Sequence, residues 1–410
     1  FDHYHERLKE TKGVVIKNNP NIEDLKWVVQ NIRPNVSHLS LVELNSSKNE
    51  IITMEEKQKL FVDQLIFSQK RQSIIDGNAG SGKTVILLET IHRINEKEKI
   101  LLVCFNRQLS NYLSNRLKHK KNTKIFYFHS LLEYYCKKAE IEFQGDKNKV
   151  YDQDLLPNLF EEALIELSEK IEKYDWLLVD EGQDFINESS FNNLVELLKN
   201  EKKGNYILAF DSGLQSGVYN KMDLGFLSKL KENGHRLDLY RNFRNPRSIA
   251  HRSASITGIK KPEVERKIIS TPKIFEVKIN ESLENKINEV IYDLLKTGVS
   301  PQDITVLTSK SRKTSILSSM KSIAGKRTLD MKIRNLWDES KPDDFISWST
   351  VSSFKGMENE YIVLIETDFT EFNDWYRSII YVAMTRVRFE FIYVGYENDK
   401  MIDVIKNVGM

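Results

Sequence analysis

Two short stretches of this chain carry residue types suited to handling a triphosphate. The first, Ser73-Ile-Ile-Asp-Gly-Asn-Ala-Gly-Ser-Gly-Lys-Thr84, holds the spacing Gly77-x-x-x-x-Gly82-Lys83-Thr84. Glycines let such a loop fold tightly, so that its backbone N–H groups point inward at phosphate oxygens. Lys83 adds a point charge near the β- and γ-phosphates, and the Thr84 hydroxyl is placed to ligate Mg2+. Asn78, Ala79, Gly80 and Ser81 complete the loop. The second stretch, Asp180-Glu181-Gly182-Gln183-Asp184, directly follows the apolar run Trp176–Val179. A carboxylate at the C-terminal end of a buried strand can hold Mg2+ through water, and its neighbour can activate a water for attack on the γ-phosphate. Asp180 takes the first role and Glu181 the second.

Both stretches need a sheet to place them. Ile74-Ile75 reads as the end of a strand and Thr84 to Ile94 as the helix that follows, whose N-terminal dipole adds to the anion site. From about Ile51 onward, apolar strands alternate with helices of three-to-four-residue period, the signature of an α/β fold with parallel sheets. Strands are expected at Ile100–Phe105, Lys124–His129, Trp176–Asp180 and Tyr206–Asp211, then at Lys273–Lys278, Asp303–Thr308, Tyr361–Ile365 and Phe391–Val394. A helix is expected from Arg312 to Ile323. The pattern divides into an N-terminal segment over 1–50, a first lobe over 51–235 with a helical insertion at about 131–174, and a second lobe over 236–410. The joint between the lobes is placed near Gly234–Leu239.

Composition narrows the class. With 410 residues, 40% apolar and 29% charged, the chain is long enough for two or three cores of ordinary globular type. A net charge of +2 gives no bulk positive field, so any nucleic-acid surface must be local. Cys104 and Cys136 alone exclude a disulfide framework and a cysteine-based zinc site, and a reduced, cytoplasmic compartment fits best. No apolar run reaches the length of a membrane span, so no membrane partner is expected. His3 and His5 alternate as a metal pair does but have no third ligand near, and they read as part of a frayed tail. The chain starts at Phe1 rather than Met, which leaves room for a segment upstream.

The wording of the two stretches resembles the first and second motifs of superfamily 1 helicases of the UvrD/Rep type. Further segments match that family in order. Leu102-Val-Cys-Phe-Asn-Arg-Gln-Leu-Ser110 looks like motif Ia, and Tyr127-Phe-His-Ser130 the motif after it. Phe210-Asp-Ser-Gly-Leu-Gln215 resembles motif III and Leu239-Tyr-Arg-Asn-Phe-Arg-Asn245 motif IV. Ser349-Thr-Val-Ser-Ser-Phe-Lys-Gly-Met-Glu358 resembles motif V, and Tyr381-Val-Ala-Met-Thr-Arg386 motif VI. The resemblance implies two RecA-like P-loop NTPase lobes with ATP and Mg2+ in the cleft between them. It implies Gln215 as γ-phosphate sensor, and Arg244 and Arg386 as arginines delivered from the far lobe, with Arg241 the alternative to Arg244. It implies Phe243 stacked on the adenine, Gln58 (or Gln64) reading its edge, and Glu358, beside Gly356, on the ribose. Asn106, Arg107, His129, Ser130, Thr350 and Ser353 match nucleic-acid contacts that position the backbone rather than read bases.

The expected activity is an ATP-driven helicase or translocase on single-stranded or tailed duplex DNA, with RNA also open. Several departures bear on this. Phe210 stands where motif III usually has glycine, and Ser352 replaces the motif V histidine. Only about two dozen residues separate Ile323 from Trp348, where a further globular domain needs roughly 50 or more, so the large second-lobe insertion is essentially absent. The alternative is a nucleic-acid-stimulated ATPase that senses or regulates without processive unwinding. The motif wording also resembles compact UvrD-like proteins associated with nuclease domains and phage defence, which implies a nuclease or regulator as partner. Asn220-Lys221-Met222-Asp223 fits a guanine-reading pattern but follows no apolar strand, which argues against a GTPase.

Overall fold

The computed structural model describes residues 56–67, 72–141, 155–184, 186–200, 204–211, 224–233, 235–266, 268, 270–320, 322–323, 327–330, 345–367 and 373–407. The chain divides at Thr53/Met54, and the first unit falls wholly outside these residues. So do the histidines His3 and His5, the Asn220–Asp223 tetrad and Gln215.

Six parallel strands form the first sheet: β1 (Gln72–Gly77), β2 (Ile100–Cys104), β3 (Thr123–Tyr127), β4 (Trp176–Asp180), β5 (Asn205–Phe210) and β6 (His235–Leu239). Their spatial order is β3-β2-β4-β5-β1-β6. Its interior strands are apolar nearly throughout because both faces are covered, as parallel sheets require. Leu101, Val103, Leu177, Val179 and Leu208 point into one core with α4 (Phe128–Lys138), α5 (Leu155–Leu167) and α6 (Glu188–Val195). The alternate residues Leu102, Cys104, Trp176, Leu178 and Ile207 point into the other, against α1 (Glu56–Phe67), α2 (Lys83–Arg93) and α3 (Arg107–Arg116). Each such aliphatic side chain contributes about 1.5–3 kcal/mol of burial, so the strand ends that carry polar residues are held on a stiff frame.

Three expectations are corrected here. The segment assigned as the joint between lobes is strand β6, an edge strand paired in parallel with β1 from Ser73↔His235 to Gly77↔Leu239. Leu237 and Leu239 are buried in the core shared with α1, α2 and α3, which fixes the strand to that sheet. The strand expected to reach His129 stops at Tyr127, and Phe128 opens α4, whose first turn is closed by the Ser130 hydroxyl donating to the Tyr127 carbonyl at 2.7 Å. The helix expected over Arg312–Ile323 is instead a 3-10 turn at Ile316–Ser318 followed by a short strand, Ser322–Ile323. Serine and threonine side chains there take up backbone groups that a helix would use. Ser315 Oγ accepts from Leu317 N, and the buried Glu366 carboxylate accepts from Ile316 N at 3.0 Å.

α7 (Leu224–Asn233) precedes β6 and packs against the first sheet through Phe226, and after β6 the chain runs through β7 (Arg241–Asn242), α8 (Arg247–Thr257) and β8 (Glu263–Val264), the partner of β7. The second sheet contains β9 (Lys273–Val277), β10 (Ile304–Thr308), β11 (Ser322–Ile323), β12 (Arg327–Asp330), β13 (Phe345–Thr350), β14 (Asn359–Ile365) and β15 (Val387–Tyr396). Their order is β11-β12-β13-β10-β14-β15-β9, parallel except for the β11–β12 pair. α9 (Leu283–Lys296), α10 (Asp374–Thr385) and α11 (Lys400–Asn407) complete the described helices. Ile249 and Ile256 of α8, Ile379 and Ala383 of α10 and Met401 of α11 share one core with Leu307, Ile362, Leu364 and Phe391 of the sheet. Among the described residues no helix is long and apolar enough to cross a membrane.

Candidate active site

The first sheet presents the C-terminal ends of its strands to the site. β1 ends at Gly77, and the loop that follows turns into α2 through Gly80 (φ 77°) and Gly82 (φ 93°), both in the left-handed region that a side chain disfavours. The N-terminus of α2 has no side-chain cap, so its first-turn N–H groups remain for an anion. Lys83 Nζ lies back across the loop, donating to the carbonyls of Gly77 at 2.6 Å and Asn78 at 3.2 Å. Ser81 Oγ is buried with no hydrogen-bond partner among the described residues. Gln58 is buried and its Nε2 donates to the Ser81 carbonyl at 3.2 Å, whereas Gln64 is exposed. Of the two glutamines, Gln58 therefore stands against the loop.

β4 ends at Asp180, whose Oδ2 accepts from Thr84 Oγ1 at 2.7 Å and whose Oδ1 accepts from Glu181 N at 3.0 Å. Burial, then the adjacent Glu181 carboxylate, push Asp180 up to about 6. For Glu181 burial also opposes ionisation, but Lys83, then Arg386 and Lys355, outweigh it and hold the carboxyl below its ordinary value. Glu181 adopts φ 54°, an uncommon backbone for a non-glycine residue that costs on the order of 1–3 kcal/mol. Gln183 fixes its direction: Nε2 donates to Glu181 Oε2 at 2.5 Å while Oε1 accepts from Asp211 N at 3.0 Å. The Thr84 hydroxyl and Asp180 carboxylate are adjacent hard oxygens, a set that fits Mg2+. No cluster of three or more His, Cys, Asp or Glu that could hold a metal occurs among the described residues. A divalent ion would thus draw its remaining ligands from water and a bound triphosphate.

From the second sheet come the N-terminal ends of β14 and β15. Arg386, immediately before β15, is only 1% exposed, and its Nε and Nη2 have no hydrogen-bond partner among the described residues. Burial lowers its basicity, the Arg244 charge adds to that, and Glu181 opposes both. Arg244 is ion-paired with Glu358 and donates from Nη1 to the Thr385 carbonyl at 3.3 Å. Arg388 Nη1 lies 3.5 Å from the other oxygen of Glu358. Burial works against the Glu358 charge, but Arg244 and Arg388 keep its carboxyl below the ordinary value. Arg241, the alternative to Arg244, is turned outward to Glu263 and Glu265 at 3.0 and 2.9 Å. Half-buried Phe243 donates its backbone N–H to the Gly80 carbonyl at 2.9 Å.

Residues with no role assigned from sequence tie these parts together. Asn242 and Asn245 are both buried. Asn242 Nδ2 donates to the Ala79 carbonyl at 3.1 Å and to Asn245 Oδ1 at 2.9 Å. Asn245 Nδ2 then donates to the carbonyls of Met384 and Val387 at 3.1 and 2.7 Å, on either side of Arg386. A two-residue relay thus connects the phosphate loop to the arginine. Tyr381 on α10 also hydrogen-bonds to the backbone of Ala79. Lys355 and Asp184, each 1% exposed, form a further ion pair between the 351–356 turn and the turn after Glu181. The doublet Asn242…Asn245 and the lysine beside Gly356 were visible in the sequence, but nothing local showed what they touch.

The six positions matched to nucleic-acid contacts do not form one patch of free side chains. Asn106 caps α3 through Oδ1, accepting from Gln108 N at 2.7 Å, and its Nδ2 donates to the carbonyls of Ser353 and Lys355 at 2.7 and 2.9 Å. Thr350 Oγ1 accepts from Ser353 N at 3.1 Å and donates to Ser353 Oγ at 3.0 Å, which shapes the turn. Gly356 ends that turn at φ 81°, close to Leu109 of α3. Arg107 is exposed. His129 is half-buried at the start of α4, with its basicity lowered by burial. Asn106, Thr350 and Ser353 are thus brought together, while His129 and Ser130 stand on a separate element.

Residues 63–211 match the family model of the AAA domain, the part of the chain that contains the phosphate loop and the Asp180–Glu181 pair. Among solved structures, the crystal structure of Arterivirus nonstructural protein 10 (helicase) is similar at 11% identity and a TM-score of 0.40, over 84% of this chain and 64% of that one. The complex structure of the same Arterivirus protein with DNA gives the same identity and TM-score, over 84% of this chain and 65% of that chain. The chain therefore spans less than two thirds of either protein. No curated protein matches it.

Proposed function

We propose that this chain is an ATP-dependent superfamily 1 helicase or translocase acting on single-stranded or tailed duplex DNA, with two RecA-like lobes that hydrolyse ATP between them. The observation that carries the reading is Arg386. A buried guanidinium with two nitrogens unpartnered among the described residues, delivered by the second sheet into the field of Glu181, suits charge that develops on a transferring phosphoryl group. Hydrolysis then depends on how the two sheets meet, which is the arrangement a motor needs.

In this reading the Gly77–Thr84 loop and Lys83 hold the phosphates, and Gln58 and Phe243 border the base. Bound Mg2+, held by Thr84 and Asp180, would neutralise phosphate charge. Glu181, kept ionised by Lys83 and Arg386, accepts the proton of the attacking water. Arg244, oriented by Glu358, adds a second positive charge from the far side.

The test is ATP turnover with and without single-stranded DNA, followed by strand displacement on tailed duplexes. Stimulated turnover with displacement is expected, and Lys83→Ala should abolish both while the fold is kept. Stimulation without displacement would instead assign a sensing or regulatory ATPase. Absence of ATP turnover from folded protein would overturn both.

A further inference from the structure

The two sheets are joined by a line of polar contacts that ends at the hydrolytic carboxylate. It starts at Asn106, whose side-chain amide binds the carbonyls of Ser353 and Lys355, residues 247 and 249 positions away in sequence. Lys355 sends its ammonium in the opposite direction, to Asp184 Oδ1. Asp184 closes the 3-10 turn Gly182–Asp184 that begins directly after Glu181. Within that turn Gln183 grips Glu181 Oε2 at 2.5 Å. A lysine and an aspartate buried to this degree cost several kcal/mol each to desolvate, so a pair retained beside Glu181 calls for a role beyond stability.

We propose that Lys355 is a positioning residue for hydrolysis: paired with Asp184, it sets the Gly182–Asp184 turn so that Gln183 aims Glu181, and Asn106 fixes the turn that carries Lys355. The inference deepens the proposed ATPase reading and rests on it. Lys355 acts through Asp184 on the turn that carries Gln183 and aims Glu181, so its influence falls on the turnover step rather than on nucleotide binding. A shift of about 1 Å in a reacting group can lower a rate by about a hundredfold, and loss of the Lys355 contact frees the turn to move on that scale. The other oxygen, Asp184 Oδ2, has no hydrogen-bond partner among the described residues.

The experiment measures kcat and KM for ATP on wild type, Lys355→Met, Lys355→Arg, Asp184→Asn, the Lys355→Met/Asp184→Asn pair and Asn106→Ala, with thermal melting as a check on folding. Lys355→Met should lower kcat at least about tenfold with KM changed less than about twofold. Lys355→Arg should recover part of the loss. Asn106→Ala should give the same signature, weaker. Because the two residues act as a unit, the paired variant should be no slower than the worse single one. The paired variant also removes both buried charges, so it reports even if Lys355→Met does not fold. A kcat near wild type in folded Lys355→Met or in the paired variant overturns the inference, as does a loss carried by KM. Wild-type protein without ATP turnover would instead refute the underlying ATPase reading.

Discussion

Replacing Arg386 with methionine should move stability and activity in opposite directions. The side chain is buried, and Nε and Nη2 lack hydrogen-bond partners among the described residues. Each unsatisfied buried donor costs about 1–3 kcal/mol, and methionine retains most of the packing of the aliphatic stem. The attraction of Glu181 for the guanidinium opposes this gain in part. Without nucleotide, Arg386→Met should therefore be more stable than wild type by about 1–3 kcal/mol. Turnover should fall by about 10³-fold, or about 4 kcal/mol of transition-state stabilisation, as for other arginines supplied to a phosphoryl transfer. Urea unfolding in the absence of nucleotide measures the first effect and steady-state ATP hydrolysis the second. Retention of more than about a tenth of wild-type turnover refutes the charge-stabilising role. A less stable variant refutes the inference drawn from the unpartnered nitrogens.

Three further outcomes are expected. Glu181→Gln keeps the shape of the site but not the base, so it should bind ATP with near wild-type affinity and hydrolyse it at least about 10²-fold more slowly, measured by fluorescent-nucleotide titration and single turnover. Gly80→Ala forces a side chain into φ 77° with its Cβ 2.9 Å from Asn242 Oδ1. It should cost about 1–3 kcal/mol in melting experiments and weaken nucleotide binding, and unchanged affinity would contradict the loop's role. Burial pushes Asp184 up to about 7, a rise that Lys355 limits. A raised carboxyl contributes stability fully present below its unfolded value and lost as pH rises through about 7. The melting temperature of wild type relative to Asp184→Asn should therefore decline between pH 5 and pH 8, and a rising difference would reverse the sign argued here.

What could be read from the sequence was what lies close together along it. The phosphate loop and Asp180–Glu181 are contiguous strings set at strand ends, and apolar runs such as Trp176–Val179 disclose the strands directly. The contacts that join the two sheets are not local. Lys355 and Asp184 are 171 residues apart, and Asn245 reaches Met384 and Val387 across 139 and 142. No spacing rule shows which asparagine or lysine will meet which partner. Strand β6 was missed because only Leu237 and Leu239 of its five residues are buried, so its pattern is weak. The segment around Ser315 was misread because Glu366, some 50 residues on, satisfies its backbone in place of a helix.

The place of β15 in the second sheet also bears on the order in which the protein is made. β15 lies between β14 and β9, in parallel register with both, from Asn359↔Val387 on one side and from Ile392↔Lys273 on the other. When β9 has just been translated, the strand it must pair with still lies more than a hundred residues further along the chain. The first sheet has a gap of the same kind, because β1 pairs with β5 and β6 more than a hundred residues later, but it is complete once Leu239 is made. The phosphate loop can therefore be framed while β9 still waits for its neighbour, and pairing over so long a separation is slow. A nascent chain stalled before Val387 would hold a formed nucleotide loop beside an unpaired β9 edge. Chaperone demand, and the harm done by late frameshifts, should concentrate in that interval.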